Sequence, residues 1–198
     1  MVRWRPLSLS APQQKHCPSL STIASMGHKI TKSGARVSDQ GRHMTTTNAM
    51  RILRSLGVSF EVAEYPVGDE HVDAVSVARE LGVPPEIVFK TLVARNEKNE
   101  PLVFCIPGLS ELDLKKAARA AVAKKVELVP LRDLTPLTGY VRGGCSPIGM
   151  KKRYPTWIDE ISQAYDRIFV NAGARGFQVI VSPAELCRAA QAEVADLV

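Results

Sequence analysis

Ile87-Val88-Phe89-Lys90-Thr91-Leu92-Val93-Ala94 and Pro101-Leu102-Val103-Phe104-Cys105-Ile106-Pro107 are two apolar runs divided by the polar stretch Asn96-Glu97-Lys98-Asn99-Glu100. Runs this short, rich in β-branched and aromatic residues, read as strands, and a polar, turn-prone break between two of them reads as a hairpin. Upstream, Thr47 is placed to cap a helix through Met50, Ile52, Leu53 and Leu56 with Gly57 past its end, and Val58–Tyr65 alternates like a strand. Asp73 caps a second expected helix that Gly82 stops, and Pro84-Pro85-Glu86 opens a helical turn into the Lys90 strand. Downstream, Asp113 caps a helix over Leu114, Ala117 and Ala118, and Lys124–Val129 reads as a strand. Thr156–Ile161, Arg167–Val170 and Gly176–Val181 read as three more strands, and Ser182-Pro183-Ala184-Glu185 as a capping box opening a last helix. Strands outnumber helices and no regular βαβ alternation appears. The expected fold is therefore α/β of the α+β kind: a single domain over residues 44–198 with a mixed, largely antiparallel central sheet surrounded by helices.

The chain has 198 residues and a formal net charge of +6. All of that excess lies in residues 1–43, where seven basic residues meet one acid, while the remainder is balanced. Residues 1–43 are rich in Ser, Pro and Gln without a period, and read as a disordered basic extension. Their composition is that of an organellar transit segment, or of an upstream start with Met44 as the natural first residue. No apolar run approaches the roughly 18 residues needed to span a bilayer, so a cytoplasmic protein with no membrane partner is expected. Cys17, Cys105, Cys145 and Cys187 are far apart in sequence, which argues against a zinc site or a disulfide framework.

Two features point to chemistry. Lys90 shares a strand face with Val88 and Leu92, and a cation there is costly unless it is paired, used, or able to reach solvent from a sheet edge. The turn Gly139-Tyr140-Val141-Arg142-Gly143-Gly144-Cys145-Ser146-Pro147-Ile148-Gly149 is glycine-rich, and such loops let backbone N–H groups approach a ligand. Together they suggest a pocket for a carbonyl or a phosphate. The one histidine after residue 43 is His71, in a polar loop, so Ser–His–Asp, Cys–His and His-rich metal chemistry are all poorly supplied. No cofactor and no metal is expected. Cys145 has no evident base beside it and reads as a packed residue. Lys115, Lys116, Arg119, Lys124 and Lys125 form one basic cluster; Arg142, Lys151, Lys152 and Arg153 form a second, beside the glycine turn, suited to a phosphate backbone.

Three motifs in series, Val88-Phe89-Lys90-Thr91-Leu92-Val93, Glu111-Leu112-Asp113-Leu114-Lys115-Lys116, and Gly139-Tyr140 with Gly143-Gly144-Cys145-Ser146-Pro147-Ile148-Gly149, resemble the YbaK/EbsC proteins. These are free-standing aminoacyl-tRNA editing domains typified by the Cys-tRNA(Pro) deacylase, and the likeness runs from about residue 46 to the end. It implies hydrolysis of the ester on a tRNA(Pro) mischarged with a small amino acid, with the substrate's own thiol assisting in the cysteine-specific members, and prolyl-tRNA synthetase as a partner. It places the essential lysine on Lys90 and the pocket glycines on Gly143 and Gly144. It places substrate contacts on Tyr65, Thr91, Ser146 and Gly149. Tyr140, Asn171 and Gln178 are further expected substrate contacts, and Arg142, Lys151, Lys152 and Arg153, clustered beside the turn, are expected to contact tRNA. Relatives often carry Ser in the motif where this chain has Asn171-Ala172-Gly173, and some carry Asp where Gln178 stands, so the resemblance leaves the preferred amino acid open. A silent, EbsC-like regulatory relative that binds tRNA or a protein is the competing reading.

Overall fold

The computed structural model describes residues 46–67 and 73–198. The expected extension over residues 1–43 and His71 lie outside the described residues. Among the described residues, eight strands and five α-helices follow in the order α1 (Asn48–Ser55), β1 (Glu61–Glu64), α2 (Ala74–Leu81), β2 (Phe89–Asn96), β3 (Pro101–Pro107), α3 (Leu114–Ala120), β4 (Val126–Leu128), α4 (Leu131–Thr138), β5 (Thr156–Asp159), β6 (Ile168–Asn171), β7 (Phe177–Val181), α5 (Pro183–Ala190) and β8 (Glu193–Ala195). No described helix is long and apolar enough to cross a membrane.

The β2–β3 hairpin forms in the register Lys90↔Ile106, Thr91↔Cys105 and Leu92↔Phe104. Asn96 closes its turn: its side-chain oxygen accepts the Lys98 and Glu100 N–H groups. Strands are divided between two sheets rather than gathered in one. β1, β7 and β6 form an antiparallel sheet, in the order β1-β7-β6. The other sheet is mixed, ordered β4-β2-β3-β5-β8, with β5 parallel to both β3 and β8. A single parallel bridge, Val88↔Phe169, stitches the start of β2 to the smaller sheet.

The helix caps form where the sequence places them. Thr47, Asp73, Asp113 and Ser182 each accept a backbone N–H from the first turn they precede. Two elements were not expected. α4 contains Pro136, which removes an intrahelical donor and disguises the segment as loop. β8 is three residues long and forms only because β5 offers it a parallel edge. The β1 strand is also shorter than Val58–Tyr65, beginning at Glu61.

Met50 and Leu53 of α1 pack against Phe89, Cys105, Ile148, Ile158 and Leu186 between the sheets. Phe104 and Trp157 stack across β3 and β5 with ring centroids 5.4 Å apart. Tyr65, Val77, Val88, Phe169 and Ile180 seal the α2 side. The start of β2 thus runs between α2, the small sheet and the glycine-rich loop, and that junction is the site.

Candidate active site

Lys90 is held half-buried at this junction. Its ammonium donates to the Gly108 carbonyl at 3.1 Å. Burial is the main influence on it and lowers its pKa, while the Glu111 and Asp73 carboxylates oppose that shift. An ammonium has three donors, so one fixes the side chain and two remain for a ligand. Gly108 was not singled out in the sequence, yet it shapes the site. Its N–H donates to Val88 O at 2.7 Å, and a Cβ built there would stand 2.2 Å from the Ala74 Cβ. Only glycine lets the end of β3 pass beneath α2 and turn its carbonyl toward Lys90. The signal was present as Pro107-Gly108, a strand terminated by glycine.

A cavity of about 290 Å³ opens around the lysine; Tyr65, Thr91, Gly143, Cys145, Asn171 and Gln178 contribute to its wall, and Arg142 stands at it too. Its polar lining has an unusual property. The amide oxygen of Gln178 is buried with no hydrogen-bond partner, in a side chain only 4 % exposed. The Thr91 hydroxyl likewise has no oxygen or nitrogen partner and meets only the Cys105 thiol, a weak hydrogen-bonding group. Buried polar atoms are nearly always satisfied, so unmatched ones at a cavity wall mark where a ligand's polar groups are received.

The glycine loop is locked from behind. Asn171 donates through Nδ2 to Gly143 O at 2.9 Å and accepts the Gly173 N–H at 2.8 Å. Asn171 therefore lines the cavity as a clamp on the loop rather than as an open substrate contact. Gly143 has φ 78°, a conformation that favours glycine. Gly144 departs from expectation: its N–H donates to Val141 O at 3.0 Å, closing the turn, and it does not line the cavity. Of the two glycines, Gly143 is the one that lines the cavity. Arg175, missed in the sequence, donates from Nε to Arg142 O at 2.8 Å and lies over Gly143 and Gly144. The two positive-φ glycines that flank it, Gly173 and Gly176, were the available clue.

Three further expected substrate contacts belong to the scaffold. The Tyr140 hydroxyl donates to Ile148 O at 2.7 Å, and burial pushes its pKa up to about 12. Ser146 is fully buried, and its hydroxyl accepts the Ile148 N–H. Gly149 lies against Asn48 and Tyr140 and faces a separate cavity. The second basic cluster also divides. Arg142 reaches the Lys90 cavity, whereas Lys152 and Arg153 line the other one and Lys151 donates to Thr135 O.

Cys145 stands at the cavity wall, but burial pushes its thiol up to about 12, so at neutral pH it is a poor nucleophile. Size alone does not choose the site. A larger cavity, about 760 Å³, carries the carboxylates of Glu86, Asp159, Glu160 and Asp196 and would repel an anionic ligand.

The site thus gathers a half-buried ammonium, Gly143 of the glycine-rich loop and two buried polar atoms without an oxygen or nitrogen partner. Residues 69–189 match the model of the aminoacyl-tRNA editing domain. The chain is 45 % identical over 151 residues, 76 % of its own length and 92 % of the relative's, to the Enterococcus faecalis protein named "Putative Cys-tRNA(Pro)/Cys-tRNA(Cys) deacylase EbsC". It also superposes with a TM-score of 0.69 and 26 % identity on a crystal structure described as "a putative trans-editing enzyme for prolyl tRNA synthetase", covering 79 % of this chain and 98 % of that one. The chain belongs to the aminoacyl-tRNA editing domain family.

Proposed function

We propose that this chain is a free-standing deacylase that hydrolyses mischarged tRNA(Pro), with Cys-tRNA(Pro) as its foremost substrate and prolyl-tRNA synthetase as its source of misacylated tRNA. The observation that carries the reading is the 290 Å³ cavity, which joins Lys90 to the Gly143 amide and to the unmatched Gln178 oxygen. That volume suits a small amino acid and the ester joining it to a ribose, not a whole nucleotide chain. In this reading Lys90 and the Gly143 N–H receive the carbonyl oxygen, whose negative charge grows as the tetrahedral intermediate forms. Removing one such donor typically costs about 3–4 kcal/mol of barrier lowering. Gln178 O accepts from the substrate's α-ammonium. Arg142 meets the phosphate of the terminal adenosine.

With cysteine as the acyl group, its thiol gives up a proton and attacks its own carbonyl carbon. The C–O bond to ribose breaks, the ribose oxygen takes a proton, and the cyclic thioester released is opened by water. Holding the thiol against the carbonyl can supply several kcal/mol, up to roughly 7–11. This route needs no protein nucleophile, consistent with the inert Cys145. The test is loss of the ester from Cys-, Ala- and Ser-tRNA(Pro) under single-turnover conditions. Cys-tRNA(Pro) should be cleared fastest, and equal rates for Cys and Ala would remove the thiol from the mechanism. No cleavage of any of the three would leave a silent tRNA-binding relative.

A further inference from the structure

The loop that carries Gly143 is held by its carbonyls. Tyr140 O accepts from Thr135 Oγ1 at 2.9 Å, and Val141 O from the Gly144 N–H at 3.0 Å. Arg142 O accepts from Arg175 Nε at 2.8 Å, and Gly143 O from Asn171 Nδ2 at 2.9 Å. Successive carbonyls from Tyr140 to Gly143 are thus all engaged, whereas the Gly143 N–H meets no acceptor among the described residues.

The Gly144–Val141 bond closes a β-turn over residues 141–144. Gly143, its third residue, has φ 78°, and Arg142 has no positive φ. These are the signs of a type II turn; type I′ needs positive φ at both central residues. Types I and II share their ends and differ by roughly half a rotation of the central peptide, which here joins Arg142 to Gly143. That peptide carries the Arg142 oxygen on one edge and the Gly143 N–H on the other, and in a trans peptide the two point in opposite directions. Glycine at the third position accommodates either turn. The side on which the N–H emerges is therefore chosen by whatever holds the carbonyl. Arg175 holds it, reaching across from the loop between β6 and β7. Gly143 lines the Lys90 cavity and Arg175 does not. The Arg175 side chain instead packs on the turn, with Nε 3.6 Å from the place a Gly143 Cβ would take.

We infer that Arg175 is a positioning residue: by drawing the Arg142 carbonyl to the outside of the loop, it turns the Gly143 N–H toward the Lys90 cavity. With that peptide turned over, a carbonyl oxygen would stand where a developing oxyanion requires a donor. The inference rests on the proposed function for the use made of that N–H.

Two substitutions separate this role from a direct contact with phosphate. Arg175 is exposed, and unchanged melting curves will show that both variants fold. Arg175→Gln removes the charge but keeps an N–H donor at the position of Nε, whereas Arg175→Met removes both. The turn is read by NMR, without substrate. In a type II turn the Arg142 Hα proton lies close to the Gly143 amide proton; in a type I turn the two amide protons approach each other instead. Arg175→Met should weaken the first Overhauser contact and strengthen the second, and Arg175→Gln should leave both as in the parent. Single-turnover clearance of saturating Cys-tRNA(Pro) should fall about tenfold in Arg175→Met, the low end for loss of a hydrogen bond from a charged donor. It should stay within about twofold in Arg175→Gln, a small fraction of one such bond. The Kd for uncharged tRNA(Pro) should change in neither. An unaltered turn in Arg175→Met, an altered turn with an unchanged rate, or an equal loss of rate in the two variants overturns the inference. An altered turn in Arg175→Met with no deacylation by the parent protein upholds the hold of Arg175 on the peptide and overturns the proposed function instead.

Discussion

Replacing Lys90 by methionine tests the site at its centre. Methionine keeps much of the side-chain volume, so the start of β2 should stay anchored through Val88 to α2 and the small sheet. What disappears is the ammonium 3.1 Å from Gly108 O and its two further donors. If Lys90 stabilises the developing oxyanion, the loss is that of one charged donor, about 3–4 kcal/mol, or roughly 10²–10³ in the single-turnover rate. Stability should move little and in either direction by about 1 kcal/mol, because removing a desolvated charge offsets the Gly108 carbonyl left without its partner. Titration separates the two roles. The folded-state pKa of Lys90 is lowered below the ordinary 10.5. Deacylation that needs the ammonium should therefore fall as pH rises through that lowered value, after subtraction of alkaline ester hydrolysis. Over the same window, up to 10.5, the unfolded chain binds more protons at this residue than the folded one, so the lysine's contribution to stability rises with pH. Activity and stability move oppositely in the parent, and Lys90→Met should erase both trends. A folded Lys90→Met protein that clears Cys-tRNA(Pro) within tenfold of the parent rate would refute the assignment.

Other perturbations address the supporting shell. Gln178→Met removes a buried, unmatched amide oxygen; thermal melting should show stabilisation of about 1 kcal/mol while KM for the mischarged tRNA rises, because an unpaired buried acceptor is costly until a ligand meets it. Gly108→Ala places a methyl 2.2 Å from Ala74 Cβ and 2.9 Å from Val88 O; denaturant unfolding should report a loss of about 1–3 kcal/mol or more, and deacylation should fall because the anchor of Lys90 shifts. Tyr140→Phe deletes the bond to Ile148 O and should cost about 1–3 kcal/mol of stability with the single-turnover rate nearly unchanged; a rate loss as large as that of Lys90→Met would return Tyr140 to the substrate-contacting set.

Local rules written in short stretches of chain were enough for the hairpin, four helix caps and the turn into β2. A capping side chain reaches a backbone N–H two or three residues away, and a hairpin needs only two β-prone runs and a turn, so distant residues do not enter. The same locality made Lys90 conspicuous, because a cation in an apolar strand breaks the pattern on its own. The family resemblance also singled out Gly143, Thr91 and Tyr65, which line the cavity with Lys90. Tertiary structure decided which neighbours face the cavity. Gly144, Tyr140 and Ser146 sit within three residues of Gly143 or Cys145, yet their polar groups are engaged on the scaffold. The division into two sheets, the strand β8 and the approach of Gly108 to Ala74 all depend on contacts between residues far apart in the chain. Hydrogen-bond partnership at a cavity is settled by such long-range packing, because a side chain's type fixes what it can donate or accept but not which group arrives opposite it.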